Sequence, residues 1–553
     1  MSNAYQPPAF AAPVDLDLSR NEGRPTITSI DFDPDDLAHL TSRYPDTGRL
    51  VEAVAARHGV SVDQVLVTAG GDDALFRCLL ASADRAVVAT TPTFEMIRRY
   101  ASQLETPLIE VPWWDGDFPV DEFLTEAAVS PGMAVVVSPN NPTGNVISQA
   151  GLRKVSDTYP MVVLDAAYSE FADEDMTEAA LEMGNVVVIR TLSKAFGLAG
   201  LRVGYLLGTA DTVRRLAAFG SPYSMSALSA ALATETLENR TADADDFAAG
   251  VAGRRKRLTA LLDELGCNPL PSQGNFVLAT NVEAPWLVAA AASLGVGLRV
   301  FADRSELARC VRITVPATDE DFDRLERTLR TVLDPQALLF DMDGVLADVR
   351  DSFHAAIIAT AARFGVSVTA DDIALAKSRG NASDDWELTR GLCVAAGVDV
   401  SFATVRDEFE GIYQGRSGEA GLKMREQLLV SPELLESWST RYRLGIVTAR
   451  PRADATEFLD RFDIRRFFTT VVTREDAASK PDPAPVSLAL SRLGVERAWV
   501  FGDTVDDLTA ARGAGVVPIG VVVPGDDRSV LAASARIVDS INEIEEILNA
   551  TQS

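Results

Sequence analysis

The sequence predicts an α/β protein built as two successive units. Short apolar runs alternate with amphipathic stretches, as in proteins with parallel sheets. At 553 residues the chain exceeds what one hydrophobic core covers. Near residue 337 the strand pattern starts afresh, just after a helical stretch stops at Pro335. In the first unit the expected strands are VLVTAG (65–70), AVVVSP (134–139), MVVLDAA (161–167), NVVVIRT (185–191) and VGYLLG (203–208). Helical stretches are expected over 208–220 and 250–265. The second unit offers ALLFDMD (337–343), YRLGIVTA (442–449), TTVVT (469–473), AWVFGD (498–503) and VVPIGVVV (516–523). The boundary between domains is placed at 334/335, giving spans 1–334 and 335–553.

Composition narrows the class. With 47% hydrophobic and 24% charged residues the chain can bury real cores, and no run is long and apolar enough to span a bilayer. A formal net charge of −29 opposes nucleic acid and anionic membranes, so small-molecule partners are expected. The opening MSNAYQPPAF lacks a basic region followed by an apolar one, so no secretion signal is expected. Cys78, Cys267, Cys310 and Cys393 are widely spaced, which fits a reducing, cytoplasmic setting. The three histidines form no metal-type pair, so any metal site should be built from oxygen.

In the first unit the chemistry-bearing residues follow expected strands. "TLSKAFGLAGLRVGY" (191–205) places Lys194 among small residues, where an amine can condense with an aldehyde cofactor. "VVLDAAYSEF" sets Asp165 at a strand end with Tyr168 beyond it, and "SPNNPTG" sets Asn141 in a turn. "TAGGDDALFRC" is a glycine-rich turn opening a helix, whose free amides at Gly71 and Asp72 can hold a phosphate. "TPTFEMIRRY" adds the aromatic ring of Phe94 at another strand end.

With "RYPD" (43–46), "GNFVL" (274–278) and "VRITV" (311–315), this order of motifs resembles pyridoxal-phosphate-dependent aminotransferases of fold type I, most nearly histidinol-phosphate aminotransferases, over about residues 19–333. The resemblance implies pyridoxal 5'-phosphate as cofactor, glutamate and 2-oxoglutarate as amino partners, and a homodimer. It makes Lys194 the cofactor-bearing and proton-shuttling amine, and Asp165 the partner of the pyridine nitrogen. Asn141 and Tyr168 would bond the ring's phenolic oxygen, with Phe94 stacked on the ring. Arg202, Ser193, Gly71 and Asp72 would grip the cofactor phosphate, and Tyr44 would reach the partner subunit's cofactor. Arg312 would receive an anionic substrate group, and Asn275 of "GNFVL" is placed with it at the substrate. Relatives that select histidinol phosphate carry an arginine before the "NE" motif. Here "AYQPPAFAAPVDLDLSRNEGRP" has none before Arg20, so Arg20 or Arg24 would take the substrate phosphate. A decarboxylase of a phosphorylated amino acid would use the same scaffold.

The second unit opens with "DMDGVLAD" (341–348), followed by "GIVTAR", "ASKPDPAPV" and "VFGDTVDDLTAARGAG". Paired acids tipping a strand are not explained by packing. The set resembles haloacid-dehalogenase-superfamily phosphatases over about 337–553, implying a Rossmann-like domain with a helical cap at about 352–430. Asp341 would attack phosphorus, and Asp343 would act as general acid and base. Mg²⁺ would sit among Asp341, Asp343 through its main-chain carbonyl, Asp503 and Asp507. Thr448 and Lys480 would bind the transferring phosphoryl group, and "GDxxxD" spacing selects Asp507 over Asp506 to orient Lys480 or a metal-bound water. In the cap, "KSRGNASDDWELTRG" (377–391) offers Arg379, Asn381 and Trp386 as substrate contacts.

Two such domains on one chain suggest consecutive steps: imidazole-acetol phosphate to histidinol phosphate, then to histidinol. Two other readings are the same activities on another phosphorylated amino compound, and a metabolite-sensing regulator, which lacks its expected basic helix-turn-helix segment.

Overall fold

The computed structural model describes residues 8–25, 27, 33–82, 85–129, 132–378, 384–416, 419–523 and 527–550. They fall into two units. The first is built mainly on Leu18–Val282 and Leu298–Asp323. Its seven strands are β1 (Val65–Thr68), β2 (Val87–Thr91), β3 (Leu108–Pro112), β4 (Met133–Val137), β5 (Met161–Asp165), β6 (Val186–Thr191) and β7 (Gly204–Leu207). They lie in the order β1-β7-β6-β5-β4-β2-β3. Only β7 runs against its neighbours, so β1 to β6 all end at the same edge of the sheet. All of β4, β5 and β6 is buried, which is why they read as near-continuous apolar runs without polar alternation. β3 is the exception, and its composition explains its place: LIEVP ends in Pro112, which has no N–H to offer a further strand. An antiparallel pair, β8 (Phe276–Ala279) and β9 (Val311–Thr314), sets Arg312 opposite Leu278.

Beneath the first sheet's edge, Arg190 of β6 is buried between Glu170 at 2.5 Å and Asp175 at 2.7 Å, the pairing that a buried guanidinium requires. His58 shares a 2.9 Å hydrogen bond with the Tyr205 hydroxyl nearby. Burial first, and then the Arg190 and Arg57 charges, hold the His58 imidazole down at about 4. Between its ordinary value near 6.5 and that lowered one, the unfolded chain takes up a proton that the folded chain refuses. Stability should therefore fall as pH drops from about 6.5 toward 4. His58→Gln is expected to flatten that slope in denaturation curves measured at pH 7, 6 and 5.

The second unit comprises Ala9–Asp17, Glu283–Gly297 and Arg324–Ser553. Helix Asp319–Leu333 leads to it and stops just before Asp334 and Pro335, as the residue preceding a proline favours extended backbone. Its sheet contains β10 (Ala337–Phe340), β11 (Arg443–Val447), β12 (Phe468–Val472), β13 (Ala498–Gly502), β14 (Val517–Val521) and β15 (Arg536–Val538). All pairs are parallel, in the order β12-β11-β10-β13-β14-β15. β10, the strand that carries the paired acids, is thus central, and ligands of such sheets bind beyond the carboxyl ends of central strands. Helices Ala355–Arg363, Ala370–Ser378, Asp385–Ala395 and Phe402–Tyr413 form the insertion between β10 and β11. The chain enters and leaves it through a short antiparallel pair, Ala347–Asp348 against Gln427–Leu428. No helix among the described residues is long and apolar enough to cross a membrane.

Candidate active sites

The shared strand edge of the first unit opens into a cavity of about 570 Å³. Asp165, the last residue of β5, and Lys194, in the turn after β6, both line it, and the Lys194 Nζ stands 5.5 Å from the centre of the Tyr168 ring. Asp165 is buried, and among the described hydrogen bonds its carboxylate accepts only from the Ala167 N–H, at 3.2 Å. Burial pushes its carboxyl up to about 6, with Asp72 adding to the rise while the Ala167 N–H and Lys194 oppose it. A buried carboxylate with so little compensation suits a cationic N–H donor, as a protonated pyridine ring would bring.

Phosphate-binding features lie at the cavity's other end. Helix Gly71–Leu80 starts here; its first amides have no intrahelical partner, and its N-cap Gly70, at φ 82°, has no side chain to cap them. A Cβ on Gly70 would come within 2.7 Å of Arg202 Nη2. Arg202 itself is held in the left-handed region at φ 54°, donates to Asp72 at 2.9 Å, and lines the cavity with Ser193. Ser193 accepts a 2.9 Å hydrogen bond from Thr191. This cradle and the lone Asp165 carboxylate are the two ends of a site that fits pyridoxal phosphate.

Asn141 and Phe94 also line the cavity, and Arg312 donates to the Asn141 Oδ1 at 2.6 Å and to the Ser19 carbonyl at 2.8 Å. Tyr168 accepts a 3.1 Å hydrogen bond from Asn21. Of the two arginines considered for a substrate phosphate, Arg20 lines the cavity. Arg24 instead bonds the Asp243 carbonyl at 3.1 Å, away from it. Asn275 is 1% exposed and is not among the residues lining the cavity; its amide donates to the Asn21 carbonyl at 3.3 Å, and its Oδ1 is buried with no hydrogen-bond partner among the described residues. Tyr44 is 79% exposed, stacks on Tyr223 at 4.4 Å, and does not line its own chain's cavity. Sequence reasoning missed Arg299 and Arg304, which line the same cavity from the segment before β9. Arg299 pairs with Glu95 at 3.3 Å and Arg304 donates to the Thr93 carbonyl at 2.7 Å. Neither sits in a glycine-rich or strand-end pattern that would have marked it.

In the second unit Asp341, Asp503 and Asp507 bring one carboxylate oxygen each within 4.8 Å of one another. Lys480 Nζ donates to Asp341 Oδ1 at 2.6 Å, to the Val447 carbonyl at 3.2 Å and to Asp507. Thr504 donates to the far oxygen of Asp507 at 2.6 Å, so both oxygens of that side chain are fixed. Burial, Asp507 and Asp343 push the Asp341 carboxyl upward against the pull of Lys480. Lys480 keeps its charge: burial opposes it, but Asp341 and Asp507 outweigh that and raise its pKa. Three carboxylates against one ammonium leave a negative excess, and an all-oxygen donor set of this size suits Mg²⁺. Gly344 makes room for this, since at φ 73° a Cβ there would collide with the Asp503 carboxylate.

Thr448 is buried after β11, with its hydroxyl accepting the Arg450 N–H at 3.1 Å. Asp343 is expected to offer a metal only its main-chain carbonyl, and its carboxylate accepts from the guanidinium of Arg450 at 2.6 Å. In the cap, Trp386 gives its indole N–H to Glu410 at 3.1 Å, and the Arg474 guanidinium lies 4.3 Å from its ring centre, so its polar group and one face are already engaged. Arg379 and Asn381 lie outside the described residues.

Fold and side-chain clusters together fit an aminotransferase-type domain followed by a hydrolase-type domain. The chain belongs to the aminotransferase class I and II family, matched over residues 33–329, and carries a haloacid dehalogenase-like hydrolase domain, matched over 338–521. It is 36% identical over 245 residues to a histidinol-phosphate aminotransferase of Thermococcus gammatolerans, covering 43% of this chain and 69% of that one. It is 45% identical over 197 residues to an imidazoleglycerol-phosphate dehydratase of Phytophthora nicotianae, covering 34% of this chain and 44% of that one. The chain thus spans less than half the length of the Phytophthora protein. The crystal structure of histidinol-phosphate aminotransferase from Sinorhizobium meliloti in complex with pyridoxal-5'-phosphate shares the fold. Its TM-score is 0.50 at 24% identity, covering 58% of this chain and 91% of that one.

Proposed function

We propose that the chain is a bifunctional enzyme that transfers an amino group from glutamate to a phosphorylated keto compound, imidazole-acetol phosphate, and then removes the phosphate from the resulting amino alcohol. The observation that carries the first half is the Lys194 amine beside a buried, under-compensated Asp165 in a cavity also lined by Arg20, Arg299 and Arg312. Pyridoxal phosphate, when bound, supplies the electron sink for breaking the substrate's C–H bond. Asp165 holds the ring nitrogen's proton, and the amides of Gly71 and Asp72, Ser193 and Arg202 anchor the phosphate. Lys194 would hold the cofactor and take the proton that leaves the substrate carbon. Arg312 offers a planar two-point contact to an anionic substrate group, and Arg20 and Arg299 add the positive charge that a phosphorylated substrate needs.

In the second half Asp341 attacks phosphorus as the ester P–O bond breaks, and Asp343 gives the leaving alcohol its proton. Asp343 then takes a proton from water, which attacks the aspartyl phosphate and frees inorganic phosphate with Asp341 regenerated. Lys480 and Thr448 hold the phosphoryl oxygens throughout. Mg²⁺, when bound at Asp341 and Asp503, screens the substrate's charge from the carboxylates. The similar Thermococcus histidinol-phosphate aminotransferase and Phytophthora imidazoleglycerol-phosphate dehydratase are both named for phosphorylated compounds, which supports this substrate class. We place the enzyme in the cytoplasm as a homodimer, with the exposed Tyr44 reaching the partner's cavity.

Supplied with glutamate, imidazole-acetol phosphate and Mg²⁺, the purified chain is expected to yield histidinol and inorganic phosphate in equal amounts. Amino transfer without phosphate release, alongside brisk hydrolysis of unrelated phosphoesters, would reject the coupling.

A further inference from the structure

Arg450 is a buried cation wedged between two carboxylates with different jobs. Its side chain is 1% exposed, its Nε donates to Asp343 at 2.6 Å, and its Nη1 donates to Glu426 at 3.1 Å. Its guanidinium also lies 4.9 Å from the centre of the Phe353 ring and 5.3 Å from that of Phe458, so its plane is fixed by packing as well as by charge. Glu426 is equally enclosed, and it sits one residue before the strand Gln427–Leu428 by which the chain leaves the cap. It accepts from Ser352, just past the entering strand, at 3.1 Å, and from Tyr413, ending the last cap helix, at 3.0 Å. Glu426 is shared, since the Arg461 guanidinium pairs with the same oxygen at 3.3 Å, and Arg450 therefore takes a second carboxylate. That second carboxylate is Asp343, which is 23% exposed and two residues from Asp341.

Resting on the phosphatase reading above, we propose that Arg450 is the positioning residue of Asp343: held by Glu426 at the cap hinge, it fixes where the general acid and base stands. Lysine cannot copy this role fully, because one ammonium cannot reach both carboxylates in a fixed plane.

Proton donation matters for a poor leaving group and little for a good one, which gives the test its contrast. Wild type, Arg450→Met, Arg450→Lys and Glu426→Gln, each as the full chain with Mg²⁺, are compared on histidinol phosphate and on 4-nitrophenyl phosphate. Arg450→Met is expected to lower kcat on the alkyl ester about a hundredfold, the lower end for loss of acid–base assistance, with KM within about threefold. Rapid mixing with the aryl ester should still show a burst of nitrophenolate near one per site, since Asp341 attacks unaided while hydrolysis of the aspartyl phosphate lags. Arg450→Lys should recover part of the alkyl rate, and Glu426→Gln should lower it about tenfold with the burst kept. An equal fall on both esters with the burst lost would make Arg450 a fold-supporting residue only and overturn the inference, as would an unchanged alkyl rate in Arg450→Met or Glu426→Gln. A wild type that cleaves neither ester sinks the phosphatase reading itself.

Discussion

Asp341→Asn is expected to abolish phosphate release, by at least about ten-thousandfold in kcat, while leaving amino transfer within a factor of two. The substitution is nearly isosteric, so β10 and its register with β11 and β13 should survive it. What disappears is the one oxygen nucleophile that Lys480 grips at the end of the central strand, since an amide has no charge to bring to phosphorus. Stability should not suffer. Burial and the nearby Asp507 and Asp343 already disfavour the Asp341 charge, and the Asn variant leaves Lys480 paired with Asp507. With EDTA present the variant should melt at or above the wild-type temperature, because one of three crowded carboxylates is neutral. With Mg²⁺ present it should gain less than wild type, because one ligand is lost. Retained phosphate release would mean that another residue attacks phosphorus, and a variant that gains as much from Mg²⁺ as wild type would place the ion elsewhere.

Much of the scaffold is written locally. β4, β5, β6, β10, β11 and β13 are buried runs bounded by turn residues, so each is legible within a window of a few residues. Strands β2, β3 and β15 were missed because VVATT, LIEVP and RIV are shorter, more polar or proline-ended, and only their neighbours in the sheet make them strands. The helix expected over 250–265 begins earlier, at Thr241, because its first turns carry acids and alanines whose burial depends on distant partners. The same division holds at the sites. Lys194, Asp165, Asp341 and Asp503 follow strand ends and can be found from order and spacing. Arg299, Glu426 and Arg450 owe their roles to elements more than a hundred residues apart in some cases, such as the Arg450–Asp343 pair with its separation of 107. No periodicity in the sequence encodes that meeting. Asn275 sits in a recognisable motif, yet only the fold shows that its amide donates to the Asn21 backbone.

Lys194→Ala is expected to stop amino transfer, also by at least about ten-thousandfold, with phosphate release from histidinol phosphate unchanged. On the proposed reading the amine carries the proton at the reacting carbon; it stands 5.5 Å from the centre of the Tyr168 ring in the cavity that Asp165 also lines, and alanine offers neither a bond to the cofactor nor a base. The cofactor should nonetheless stay bound. The expected phosphate grip at Gly71 and Arg202 and the expected ring-nitrogen partner Asp165 lie outside the Lys194 turn, and the neighbouring Ser193 keeps its hydrogen bond from Thr191. Cofactor released by denaturing the variant should therefore approach one per chain, whereas Asp165→Ala should lose it more readily because the buried charge complementarity goes with it. Adding glutamate to wild type should bleach the absorbance of the bound aldehyde, and adding it to Lys194→Ala should not. Exchange at a wild-type rate in Lys194→Ala would refute the site. Loss of both activities together would show that the two domains do not work as separable catalysts.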